Sequence, residues 1–162
     1  LPDGSIVVSE LASGSLVHLS GAELDNKRTL ADGLQGPVQM ILGQDGQIYL
    51  TEAAGFLTRV DPASGEVKRV AEGLLMPEGL AQTADGDFVI AETAAQRLIS
   101  LNVETGERTT LAENLPIGFP AGPGMPPSGI PTGVASAADG TVYFTSDVDN
   151  GLYKIELEPA GS

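Results

Sequence analysis

The residues of this chain best suited to chemistry are its acids. Glu10, Glu52, Glu92 and Asp147 close four similar runs, SIVVSE, QIYLTE, DFVIAE and TVYFTSD. A fifth acid, Glu78, stands in PEGLAQ. Carboxylates that converge in a cleft resist simultaneous ionisation, so one of them keeps a raised pKa and can serve as a general base. With carbonyl oxygens they also suit a hard cation such as calcium. Glu78 and Asp147 are the candidates for catalysis, and Glu78, Asp147 and Glu92 for metal. Glu10, Glu52, Gln39, Thr132 and Phe119 are expected to face a substrate. A structural reading competes with this one: Glu10, Glu52 and Glu92 are then consensus residues of a repeat. In that role they cap turns or pair with a cation of a neighbouring blade, such as Arg59 or Arg97.

Other chemistries are thinly represented. Cysteine is absent, which removes thiolate metal sites and disulfides and leaves the compartment open. His18 is the only histidine. It lies in the alternating run LVHLS and reads as a partly exposed strand residue. No G-x-S-x-G elbow, P-loop, HExxH or EF-hand loop occurs. The run from Asp147 to Gly151 lacks the distal Glu of a calcium loop and reads as a tight turn. A net charge of -14 disfavours nucleic acid and anionic membrane as partners, leaving a small-molecule ligand or a protein. No apolar run approaches the ~18 residues that span a bilayer. No signal peptide is visible, and the start at Leu1 rather than Met leaves room for a removed upstream segment.

The elements that must position the acids repeat along the chain. Asp-Gly pairs at Asp3, Asp45, Asp85 and Asp139 are spaced by 42, 40 and 54 residues. Removing about 14 residues of the Pro/Gly-rich stretch 116–131 restores a period of about 40. Three of the pairs are preceded by PVQM, PEGL and PTGV, and all are followed by SLVHLS, FLTRVD, RLISLN and GLYKIE in one register. The runs KRTLADGL, VKRVAEGL and RTTLAENL close three units. Short apolar runs between tight turns are strands. Four strands in about 40 residues make a β-propeller blade. The fold is therefore expected to be all-β, with blades over about 1–35, 36–75, 76–115 and 131–159 and an insertion loop at 116–130. The first unit lacks its innermost strand and the last its outermost, giving 14 strands in four blades, two of them incomplete. Further blades or self-association are expected to close the ring, because open edges otherwise aggregate.

This architecture places the ends of the second strands and the segments leading into the first strands on one face, at the channel mouth. The Asp-Gly turns fall on the other face. The loop 116–130, whose Ile117, Phe119, Met125 and Ile130 want cover, is expected to form a lid or wall at the mouth or to link two blades.

The pattern P-x-G-L/V-A, then D-G-x-hydrophobic-Y/V-hydrophobic-x-E, then R-hydrophobic-x-x-hydrophobic-D/N resembles NHL repeats. It is also similar to the six-bladed gluconolactonase-like superfamily, with the senescence-marker, luciferin-regenerating and strictosidine-synthase-like proteins, and to the seven-bladed streptogramin lyases. The resemblance covers essentially the whole chain and implies that its blades are part of a six-bladed ring. It implies a cation-dependent hydrolase of lactones or esters, or alternatively a non-catalytic binding propeller of NHL type. A streptogramin-lyase-like enzyme is the second alternative, although its His-Glu-His arrangement is not present. In the gluconolactonase-like proteins the metal is held by a Glu, by the Asn of a Pro-Asn-Gly segment and by an Asp. Here Glu78 stands where that Asn would be, and Asp147 approximately matches the Asp.

Overall fold

The four Asp-Gly pairs at Asp3, Asp45, Asp85 and Asp139 form the same turn, each closed by a bond from the glycine N–H to the carbonyl three residues back; the fifth pair, Asp32-Gly33, lies between β3 and β4. The glycines take positive φ, 84° at Gly4, 77° at Gly46, 95° at Gly86 and 86° at Gly140. In three of the turns the Asp carboxylate accepts the N–H two residues on, from Ser5, Gln47 and Thr141, at 2.9–3.0 Å. These turns join the strands of four antiparallel sheets in a computed structural model that describes residues 1–118 and 132–156.

The first sheet holds β1 (Ile6–Glu10), β2 (Ser15–Ser20) and β3 (Asn26–Ala31). The second holds β4 (Pro37–Leu42), β5 (Ile48–Glu52), β6 (Phe56–Val60) and β7 (Val67–Glu72). The third holds β8 (Pro77–Gln82), β9 (Phe88–Glu92), β10 (Arg97–Leu101) and β11 (Arg108–Ala112). The fourth holds β12 (Val134–Ser136), β13 (Thr141–Thr145) and β14 (Leu152–Glu156). Every sheet runs in simple up-and-down order. The chain is thus all-β, with blades of three or four strands.

Consecutive sheets pack face to face, because each strand alternates two apolar faces and both need cover. Leu16, Leu30, Ile48, Leu50 and Val60 fill the layer between the first and second sheets. Tyr49, Leu57, Leu80, Phe88, Ile90 and Leu101 fill the next, with the Tyr49 and Phe88 rings 4.5 Å apart. Ala81, Val89, Leu98, Val142 and Phe144 fill the last, joined by Ile117 from the segment after β11. The innermost strands lie side by side, β8 between β4 and β12. Their approach explains Gly79: a Cβ there would sit 2.5 Å from the Thr132 carbonyl oxygen and from a Val134 methyl.

Pairing fixes which ends share a face. Pro37 lies opposite Glu52, and Pro77 opposite Glu92. The segments that lead into β4 and β8 therefore meet the ends of β5 and β9, at the end of each sheet remote from the Asp-Gly turns.

Candidate functional site

The carboxylates at the ends of the second strands are built into the frame. Glu52 is fully buried, and its two oxygens accept the Gln35 N–H and the Thr58 hydroxyl. Arg69, which stacks over the Phe56 ring at 3.9 Å, lies 3.7 Å from it. Glu92 repeats the arrangement: it accepts the Leu75 N–H at 2.8 Å and pairs with Arg97 at 2.6 Å. Each acid thus clips the incoming linker to its own sheet, and backbone bonds from Ala53 to Gly36 and from Thr93 to Met76 reinforce the clip. The cation beside Glu92 is the named Arg97, but it comes from the same sheet and not from a neighbouring blade, because β9–β10 pairing sets the two residues opposite each other. The cation beside Glu52 is Arg69 rather than Arg59, because β6–β7 pairing sets Thr58 opposite Arg69.

Glu10 occupies the same place in the first sheet, where no inner strand and no linker to clip lie among the described residues. Its carboxylate turns to the Ser13 and Ser15 hydroxyls at 3.0 and 3.1 Å, with Lys27 at 3.6 Å. The hydroxyls, chiefly, hold it below the ordinary carboxylate range.

Asp147 does not stand in this series. Met40 lies opposite Leu50, Leu80 opposite Ile90 and Val134 opposite Phe144. The residue matching Glu52 and Glu92 is therefore Ser146, whose hydroxyl donates to the Pro116 carbonyl at 2.5 Å. Asp147 falls one place on, where the earlier sheets carry Ala53 and Thr93, and accepts the Gly118 N–H at 2.9 Å. The run after it is the expected turn, with Asp149 accepting the Gly151 N–H at 2.8 Å.

Glu78 is the acid that the fold treats differently. It lies nine-tenths buried on β8 and accepts the Thr132 N–H of the neighbouring sheet at 2.8 Å. Burial raises its pKa above the ordinary 4.5, and the charge of Asp147 adds to the rise. The Thr132 N–H and the nearby Thr93 and Thr132 side chains oppose the shift. The Thr132 hydroxyl is itself buried and makes no hydrogen bond of ordinary geometry. The seam between the third and fourth sheets thus gathers Glu78, Thr132 and Asp147, joined through Asp147 to the end of the segment at Gly118.

Gln39 belongs to the adjoining seam. Its side chain donates to the Leu80 carbonyl at 3.1 Å, while the Thr51 hydroxyl donates to the Glu78 carbonyl at 2.7 Å. Sequence reasoning missed Thr51 and Thr93, whose hydroxyls tie neighbouring backbones at this end. Phe119 and the rest of the stretch 119–131 lie outside the described residues. Among the described residues no group of three or more His, Cys, Asp or Glu is arranged to hold a metal ion. A further cleft of about 350 Å³ is lined by the inner strands, from Gln39 and Ile41 through Leu80 and Gln82 to Val134 and Ser136. No described helix is long and apolar enough to cross a membrane.

No protein-family model and no curated protein matches the chain. Solved structures do. The nidogen/laminin complex contains a chain that superposes with a TM-score of 0.75 at 17% identity, over 94% of this chain and 55% of that one. A catalytically inactive virginiamycin B lyase from Staphylococcus aureus with quinupristin gives 0.66 at 15% identity, over 97% and 53%. A gluconolactonase-family protein gives 0.62 at 18% identity, over 96% and 61%. The chain spans between about half and three-fifths of the length of these relatives. Identity at this level establishes the fold, a β-propeller of the kind that these proteins share.

Proposed function

We propose that the seam between the third and fourth sheets is the ligand site of a gluconolactonase-like propeller, with a lactone or ester as substrate. The observation that carries this reading is Glu78: a buried carboxyl with a raised pKa, set beside a second carboxylate, in a layer otherwise filled with apolar side chains. Such a group takes up and releases a proton closer to neutrality than an ordinary carboxylate does. In hydrolysis Glu78 would accept a proton from a water whose oxygen attacks the acyl carbon. It would return that proton to the alkoxide released when the acyl C–O bond breaks. Asp147 would hold the Glu78 pKa up and orient the water.

Calcium, implied by the resemblance, would draw on Glu78 and Asp147. Two carboxylates fall short of the six to eight oxygens that it takes. Glu92, the third acid named for metal, is occupied by Arg97 and the Leu75 N–H. The remaining ligands would have to be carbonyls, waters or groups beyond the described residues. Calcium would polarise a carbonyl when bound, but held by Glu78 it would also lower the pKa of that carboxyl, so Glu78 would serve either as ligand or as base.

A non-catalytic binding propeller of NHL type is the second reading. It is favoured by the use of Glu52 and Glu92 as structural clips and by the likeness to the nidogen chain. A streptogramin-lyase-like elimination has less support, since the one imidazole, His18, lies on β2 with both ring nitrogens buried and unpartnered. Turnover of a panel of lactones and aryl esters by the intact protein, and by its Glu78→Gln variant, separates these readings. Hydrolysis lost in the variant supports the first. Absence of turnover, with a ligand still bound, supports the second. A calcium titration followed by thermal melting tests the cation independently.

A further inference from the structure

The linkers into β4 and β8 follow one backbone path. Gln35 and Leu75 donate their N–H groups to the acids that end the second strands, Glu52 and Glu92, and their carbonyls accept from Ala54 and Ala94. Gly36 and Met76 come next, and their carbonyls accept the Ala53 and Thr93 N–H groups. A proline follows each. The side chains at these matched places differ in kind: where the second sheet has Gln-Gly, the third has Leu-Met. Leu75 is 48% exposed. Met76 has φ +48°, in the left-handed region that Gly36, at +74°, occupies without strain.

The frame needs neither large side chain, since Gln35 and Gly36 meet the same backbone bonds. Backbone strain of this kind gathers at functional positions, where something other than folding keeps it. Met76 lies two residues before Glu78, and its carbonyl also accepts the Thr93 hydroxyl at 2.9 Å. The Thr93 side chain in turn lies close enough to Glu78 to oppose the rise of its pKa. Leu75 and Met76 thus put apolar surface at the Glu78 end of the third sheet, where the second sheet has an amide and a glycine. Ligand sites combine a few polar groups with apolar walls.

We propose that Leu75 and Met76 form the apolar wall of the Glu78 site and select ligands that carry an alkyl arm on the lactone or ester. This rests on the reading of that seam as a ligand site, but not on turnover there. The second sheet supplies the comparison, because Leu75→Gln with Met76→Gly writes its residues into the third. Calorimetry compares the binding of γ-butyrolactone with that of γ-decalactone, which adds a hexyl arm to the same ring. The wild type is expected to favour the longer lactone. The double variant should lose about tenfold of that preference, the worth of roughly two buried methylenes. Its melting temperature should match or exceed that of the wild type, because glycine relieves the positive φ. Leu75→Gln alone, at an exposed position, serves should the double variant lose its fold, with part of the loss expected. Selective binding without hydrolysis of either lactone would support the wall while removing the hydrolase reading. A wild type that binds both alike, or neither, would overturn the proposal, as would a preference that survives the exchange. A lowered melting temperature would mean that the chain itself covers these side chains, and would overturn it too.

Discussion

Glu78 in β8 accepts the backbone N–H of Thr132 at 2.8 Å, across the seam between the third and fourth sheets. Glu52 and Glu92 serve linkers within their own sheets, whereas this acid reaches into the next one. The bond holds a carboxylate in a place that burial makes unfavourable for charge, and Asp147 makes it less favourable still.

A pH dependence follows. Between the ordinary value of 4.5 and the raised native value, the native state carries a proton on Glu78 that the unfolded chain has lost. Stability then falls as pH rises through that interval, and the loss persists above it. Glu78→Gln keeps an oxygen for the Thr132 N–H and does not ionise. Its melting temperature is expected to gain on that of the wild type as pH is raised from below 4.5 to neutrality. A constant difference across that range would show that Glu78 titrates normally.

Glu92→Ala should behave differently. It strips the Leu75 N–H of its acceptor and leaves the partly exposed Arg97 without its carboxylate. Removing one partner of such a pair costs about 2–3 kcal/mol, at the lower end for buried pairs because water reaches the arginine. Urea denaturation measures this directly. Binding at the Glu78 seam, assayed separately, is expected to survive.

Two turn glycines, one between β1 and β2 and one between β4 and β5, offer a backbone test. Gly14 has φ +64°, and a Cβ there would lie 2.2 Å from the Leu34 carbonyl oxygen. Gly46 has φ +77°, with nothing within 4 Å of a Cβ. Gly46→Ala should therefore cost about 1 kcal/mol from backbone strain alone, and Gly14→Ala clearly more. Equal losses by denaturant melting would mean that the close approach at Gly14 is relieved without cost.

Much of this was legible in the sequence because it is local. The Asp-Gly turns and the strand alternation lie within short runs. The structural use of Glu52 and Glu92 was legible as an alternative, but Arg69 was not, because the choice of cation depends on cross-strand register between β6 and β7. Asp147 misled for a similar reason. The run TVYFTSD ends in an acid as its counterparts do, yet the Val134–Phe144 pairing sets Ser146, not Asp147, in the repeat position. A hydroxyl that donates to the Pro116 carbonyl replaces a carboxylate that accepts an N–H. That substitution frees the next residue to carry the second acid of the seam. The closeness of Glu78 to Asp147 joins residues 69 positions apart and depends on the packing of two sheets.

The most direct test is a carbon-detected NMR titration of the Glu78 side chain in the wild type and in Asp147→Asn. The account predicts a wild-type pKa above the ordinary 4.5 and a lower value, still raised by burial, in the variant. A Glu78 that titrates at its ordinary value, or one indifferent to Asp147→Asn, would contradict it.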